Sequence, residues 1–271
     1  MLISKLMERG HEVSGIKREL LYGPANLLAS EIRNADIVLH LAGAPIFQRW
    51  TKKNKKLIYE SRIVTTKNLV EAINLLSKKD RPKKYVSSSA IGIYKSDFEH
   101  DEDSMNFDNG FIGNVVKDWE NASKNLPKDV QKNILRIGLI IGKNAKTIKY
   151  LWLPVKLGLG ATVGHGKQPF PFVHEKDVIK AFLWIIEENQ KQGIFNIVAP
   201  ENISNKEFTQ AFANALKRPM FLMIPKLIFK LLFGEASVLL TQSAQVIPKN
   251  LLENKFEFTF PTINAAMKEI F

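Results

Sequence analysis

Residues 36–43 read DIVLHLAG: a mostly apolar run of strand length, closed by Ala42-Gly43. Such runs mark strands buried on both faces of a parallel sheet. The chain on either side fits that sheet. Upstream, LISKLMER (2–9) sets Leu2, Ile3 and Leu6 on one helical face, Gly10 stops the helix, and EVSGIK (12–17) reads as a strand. Downstream, a helix is predicted from about Thr51 to Leu76, with Leu69, Ile73 and Leu76 at i, i+4, i+7 spacing. Lys84-Tyr85-Val86 then leads into a strand that ends in Ser87-Ser88-Ser89.

The acidic stretch 97–109 reads as a loop, Ile112 to Lys124 as a helix, and NILRIGLII (133–141) as one buried strand closed by Gly142. Gly158, Gly160, Gly164 and Gly166 punctuate a region read as loop-rich. A helix from His174 to Glu188, a strand from Ile194 to Val198 and a helix from Ser204 to Leu216 follow. Pro225 suits the first turn of a further helix that Gly234 ends, and Phe256 to Phe260 looks strand-like. Strands alternating with helices predict an α/β fold, a parallel sheet with helices on both faces. Ligands of such sheets bind beyond the carboxyl ends of the strands. The strand ends that stand out are Lys17-Arg18, Ala42-Gly43 and Ser87 to Ala90.

Composition removes several classes of function. The 271 residues contain no cysteine, which excludes disulfides, thiolate nucleophiles and cysteine metal sites. No two of the five histidines stand at i, i+4, and no metal site is expected. Lys+Arg outnumber Asp+Glu 39 to 27, but the cations form short scattered clusters without interleaved aromatics. A solvated surface is expected rather than a nucleic-acid site. The first turns carry Lys5, Glu8 and Arg9, unlike a signal peptide, and Met220 to Phe233 is too short and too broken by Pro225, Lys226 and Lys230 to span a bilayer. The expected protein is cytoplasmic, with a small-molecule partner and neither nucleic acid nor membrane.

The segments HEVSGIKR, DIVLHLAGAP, KYVSSSAIGIY, LRIGLIIG and FPFVHEKDV occur in the order expected of extended short-chain dehydrogenases/reductases. LAGAPI and RWT within 41–51, ESR (60–62), KDWE (117–120) and the C-terminal Ile224 to Ser237 followed by Val246 to Lys249 narrow this. With them the chain resembles the atypical, nucleotide-sugar-epimerase-like branch of that superfamily. The resemblance covers nearly the whole chain. It implies a Rossmann-like dinucleotide-binding domain over 1–150, and a substrate or lid region with a C-terminal epimerase-associated module over 151–271, interleaved with the core sheet. It also implies a first strand and a GxxGxxG-type loop. Neither GxGxxG nor GxxGxxG occurs in the sequence, so these are expected upstream of Met1.

On this resemblance Lys17 and Arg18 meet the adenosine ribose, where a cation favours NADP over NAD. Leu41, Ala42 and Gly43 adjoin the cofactor, Gly43 letting backbone approach it. Ser87 lies on the same strand end, and the superfamily's catalytic serine maps to Ser89. Arg62 reaches cofactor or substrate, or forms a helix-surface ion pair. Arg49 and Trp50 suit an anionic or ring-bearing substrate, or else anchor their loop. The usual YxxxK acid/base motif is absent from the helix around Phe111 to Lys117, Val116 standing near the departure. Tyr94 is the nearest substitute proton donor, or a tyrosine packed under the acidic loop. Arg136, inside a strand, calls for a structural ion pair. The expected activity is hydride transfer on a small alcohol, carbonyl or nucleotide-sugar-like substrate. The alternative is an inactive NADP-binding regulator or scaffold.

Overall fold

The computed structural model describes residues 1–188 and 191–271. The first half runs α1 (Leu2–Glu8), α2 (Ala25–Ile32), β1 (Ile37–His40), α3 (Lys52–Leu75), β2 (Lys84–Ala90), β3 (Glu99–His100), α4 (Phe111–Asn121) and β4 (Gln131–Ile137). The second half runs β5 (Leu139–Ile141), α5 (Lys146–Lys156), β6 (Ala161–Val163), β7 (Phe172–His174), α6 (Glu175–Glu187), β8 (Gly193–Ile197), α7 (Asn205–Ala215) and β9 (Leu222–Ile224). It closes with α8 (Lys226–Phe233), α9 (Val238–Thr241), β10 (Gln245–Val246), α10 (Lys249–Glu253) and α11 (Ile263–Ile270).

The main sheet is parallel, in the order β1-β2-β4-β8. The apolar runs that suggested it become its central strands: Val86 and Leu135 are fully buried, packed with Phe182 and Ile185 of α6. Against the other face pack Ile93 and, from α4, Val115, Val116 and Trp119. Helix starts follow local chemistry. The Thr51 side chain caps α3 by accepting from Asn54 N, and Ser204 with Glu207 forms a full capping box on α7. No described helix is long and apolar enough to cross a membrane.

Four expectations need correction. Residues 12–17 form no strand, because no strand among the described residues runs beside them; Val13 and Ile16 only pack, half-buried, on neighbouring clusters. The run 133–141 is two strands, not one. At Gly138 the chain leaves the main sheet, and β5 pairs with β7. A Cβ there would lie 2.5 Å from the Pro171 carbonyl oxygen, so only glycine permits the crossing. Within the region read as loop-rich, 146–156 is helical. Residues 256–260 are not a strand: the N–H groups of Thr259 and Phe260 donate to the Asp177 carboxylate, each at 2.8 Å.

Candidate functional site

The ladder register builds the site. Ser89 on β2 lies directly opposite Arg136 on β4, and Arg136 opposite Asn196 on β8. Residues opposite one another in a parallel ladder share a face, so these three make a polar row across the sheet. Glu120 comes down onto that row from α4. The Ser89 hydroxyl donates to Glu120 Oε1 at 2.6 Å. Arg136 grips the same carboxylate with both fork nitrogens, Nε to Oε1 at 2.9 Å and Nη2 to Oε2 at 2.8 Å. Two-point geometry of this kind fixes orientation as well as adding energy. Burial acts to lower the Arg136 pKa, but the hydrogen bonds and charge of Glu120 outweigh it and raise it. The structural ion pair expected for Arg136 is this one.

Tyr94 belongs to the same network and is placed otherwise than a proton donor to substrate would be. Its side chain is buried; its hydroxyl accepts from Arg136 Nη1 at 2.8 Å and donates to Asn196 Oδ1 at 2.9 Å. Burial raises its pKa, although Arg136 and Asn196 pull the other way. The phenol packs under the acidic loop, stacked on His100 at 4.8 Å between ring centroids.

A second cluster forms where β1 ends. Ala44 N donates to the Ser61 hydroxyl at 2.9 Å, and Arg62 Nη2 donates to the Ala44 carbonyl at 3.1 Å. A Cβ on Gly43 would fall 3.2 Å from the Arg62 guanidinium, so the glycine lets that cation lie against the loop. Arg62 also lies over the Trp119 ring at 5.2 Å, and burial lowers its pKa. No carboxylate pairs with it among the described residues, which sets aside the helix-surface ion pair. Leu41 is exposed and Ala42 half-buried on the same loop.

Lys17 and Arg18 open a 3-10 turn over 18–22. Both are exposed, and their side chains have no partner among the described residues. Asn68 ties this turn to α3 through the Gly23 carbonyl at 2.8 Å. Ser61 and Arg62 hold the β1 loop to the same helix, roughly 10 Å away along its axis. Arg49 is exposed and unpaired among the described residues. Trp50 is a loop anchor instead of a substrate platform. It is buried, its indole N–H donates to the Ile46 carbonyl at 3.1 Å, and it meets Phe111 edge-on. Ser87 is buried and donates to the Ser88 carbonyl, two residues deeper than Ser89 on the same face.

Sequence reasoning singled out neither Glu120 nor Asn196 as site residues. For Glu120 a signal existed: Val116 marks the departure from YxxxK, and one turn further along α4, facing the same way, stands Glu120. Lys117 is out of line, its amine 3.4 Å from Asn109 Oδ1. Asn196 gave no signal, since only the register of β8 brings it to the row.

Residues 224–270 match a family described as a domain of unknown function, DUF1731. The chain is 34% identical over 282 residues to the bovine epimerase family protein SDR39U1, covering 99% of this chain and 94% of the relative. Its fold superimposes on the crystal structure of human SDR39U1, isoform 2, with NADPH at a TM-score of 0.91 and 32% identity, covering 99% and 94% of the two chains. UDP-N-acetylglucosamine 4-epimerase from Bacillus cereus shares the fold, with a TM-score of 0.72, 18% identity and coverage of 99% and 92%. The polar row, the strand-end loop and this similarity along nearly the full chain lead to one assignment: the chain belongs to the SDR39U1 epimerase family, an atypical, nucleotide-sugar-epimerase-like branch of the extended short-chain dehydrogenases/reductases.

Proposed function

We propose that the protein is an NADP-dependent, epimerase-like oxidoreductase acting on a small alcohol or carbonyl, a nucleotide sugar being one such substrate, and that it works in the cytoplasm. The observation that carries this is the 2.6 Å contact between Ser89 and Glu120 at the carboxyl end of a central parallel strand. The residues present fit the adenosine side of a dinucleotide. Lys17 and Arg18 offer unpaired cations for a 2′-phosphate. Gly43 leaves room for Arg62 against the loop at the end of β1, beside Leu41 and Ala42. No glycine-rich pyrophosphate turn occurs among these residues. The bound cofactor would supply the hydride.

The chain's own residues then orient and polarise. The Ser89 oxygen, its own proton given to Glu120, accepts from a hydroxyl of the substrate. Glu120 accepts from Ser89 and aims that hydroxyl, and Arg136 fixes Glu120. Arg49, exposed at the rim, suits an anionic group on the substrate. Titration of NADPH and NADH by nucleotide fluorescence tests the cofactor assignment. The expected result is tighter binding of NADPH, with the preference lost in Lys17→Glu/Arg18→Glu; equal affinities in the unmodified protein would sink it.

A binding protein without turnover is the second reading, favoured by one observation. Val116 stands one turn before Glu120 on the face where the superfamily carries its phenol, and the Tyr94 hydroxyl is already engaged. A panel of carbonyl and nucleotide-sugar substrates separates the two. Turnover that Ser89→Ala abolishes, with NADPH affinity kept, supports the enzyme. Tight NADPH binding with no turnover on any substrate supports the regulator.

A further inference from the structure

We propose that the face made by α5, β9 and α8 docks on an anionic membrane surface. The expectation of no membrane partner rested on the lack of a spanning stretch. Lying on a bilayer is a different physical state, and it needs an apolar face flanked by cations.

Helix α8 has that face. Phe229 and Phe233 form its inner ridge, and Phe233 packs on Phe47 at 5.2 Å. Its outer stripe should be polar in a protein surrounded only by water. Instead it carries Leu227, Ile228, Leu231 and Leu232, and Leu231 is 72% exposed. No residue of α8 is buried. Ahead of it, Phe221 is 86% exposed.

Helix α5, which leads into β6, also carries exposed apolar residues. The β6–β9 ladder, Ala161 opposite Leu222, joins the two regions. On α5, Ile148 and Val155 point into the core. Tyr150, Leu153 and Leu157, spaced i, i+3, i+7, stand exposed on another face. Lys156 lies over the Trp152 ring at 4.4 Å, putting an amphipathic ring and a cation together at this surface. Exposed large apolar side chains gathered on neighbouring elements mark an interaction site.

Charge selects the occupant. The chain holds 27 acidic residues, yet residues 142–174 and 208–234 contain none, against nine Lys and Arg. A second copy pairing through this face would bring only more cations, since these segments offer its lysines no carboxylate. An anionic lipid surface satisfies both the lysines and the leucines.

Cosedimentation with vesicles tests this on the full chain. One set is pure phosphatidylcholine, the other about one-third phosphatidylglycerol. Binding is expected only to the anionic set, weakening with added salt, with a blue shift of Trp152 emission. Leu227→Gln/Leu231→Gln, Lys226→Glu/Lys230→Glu and Leu153→Gln/Leu157→Gln should each cut partitioning by at least about tenfold with Tm kept, because these side chains are exposed. Failure to sediment with anionic vesicles, equal binding to neutral ones, or variants that bind unchanged would overturn the proposal. So would a concentration-dependent dimer, seen by sedimentation velocity without vesicles, that Leu227→Gln/Leu231→Gln dissolves.

Discussion

His40 ends β1 with its imidazole buried, Nε2 lying 3.0 Å from the Thr66 hydroxyl. Burial lowers its pKa from 6.5 to about 4. As pH falls below 6.5 the unfolded chain takes up a proton that the folded chain refuses, so stability is lost progressively down to about pH 4. That loss is about 3 kcal/mol over the window, and none is expected from this residue above pH 7. His174 is shifted in the same direction, so a variant is needed to isolate His40. Chemical denaturation of the protein and of His40→Asn at a series of pH values should show a flatter acid limb in the variant. Arg136 gives a second test. Arg136→Leu strands Glu120 beside a buried sheet face and should cost about 3–5 kcal/mol. Replacing both partners, Arg136→Leu/Glu120→Leu, should recover much of that loss, as read from urea midpoints.

At the level of elements, a side chain from one strand finishes a distant helix. Lys84, the first residue of β2, buries its amine under the end of α6 and donates to the carbonyls of Ile185, Ile186 and Glu188 at 2.7–3.1 Å. The Ile185 and Ile186 carbonyls, in the last turn of α6, have no partners within the helix. Lys84→Met should cost about 2–4 kcal/mol, with faster amide exchange at the end of α6 as the local readout. The buried strands and the capped helices were legible in sequence, because continuous apolar runs and Ser or Thr caps are local signals. Helix α5 was not. Pro154 in its last turn and the glycines after it read as loop, whereas Ile148 and Val155 bury enough surface to hold it. The alternating Phe256, Phe258 and Phe260 mimicked a strand because packing alone can need a period of two. Whether a backbone also pairs depends on a neighbour that no local pattern shows.

Across the whole molecule, the acidic stretch ties the last strand of the main sheet to the C-terminal segment. Glu102 accepts from Asn196 N on β8 at 2.7 Å and from Asn250 N, and β3 pairs with β10. Glu102→Ala leaves both N–H groups without that acceptor and should cost about 2–3 kcal/mol, with amide exchange rising at 245–247 and 196. This stretch had read only as a solvated loop. The candidate site was half legible for the same reason: Ser89, Gly43 and Arg62 sit on recognisable segments, but Ser89's row is completed by Arg136 and Asn196, 47 and 107 residues away, through ladder register, a long-range property. The sheet order also bears on synthesis. β8 completes the sheet beside β4, yet it follows β4 by 55 residues of chain. At about 5–20 residues per second, the ribosome leaves the Asn133–Ile137 edge of the nascent chain unpaired for about 3–11 s. For that interval the growing polypeptide presents a bare apolar edge, the form in which a chaperone, or a neighbouring nascent chain, would meet it.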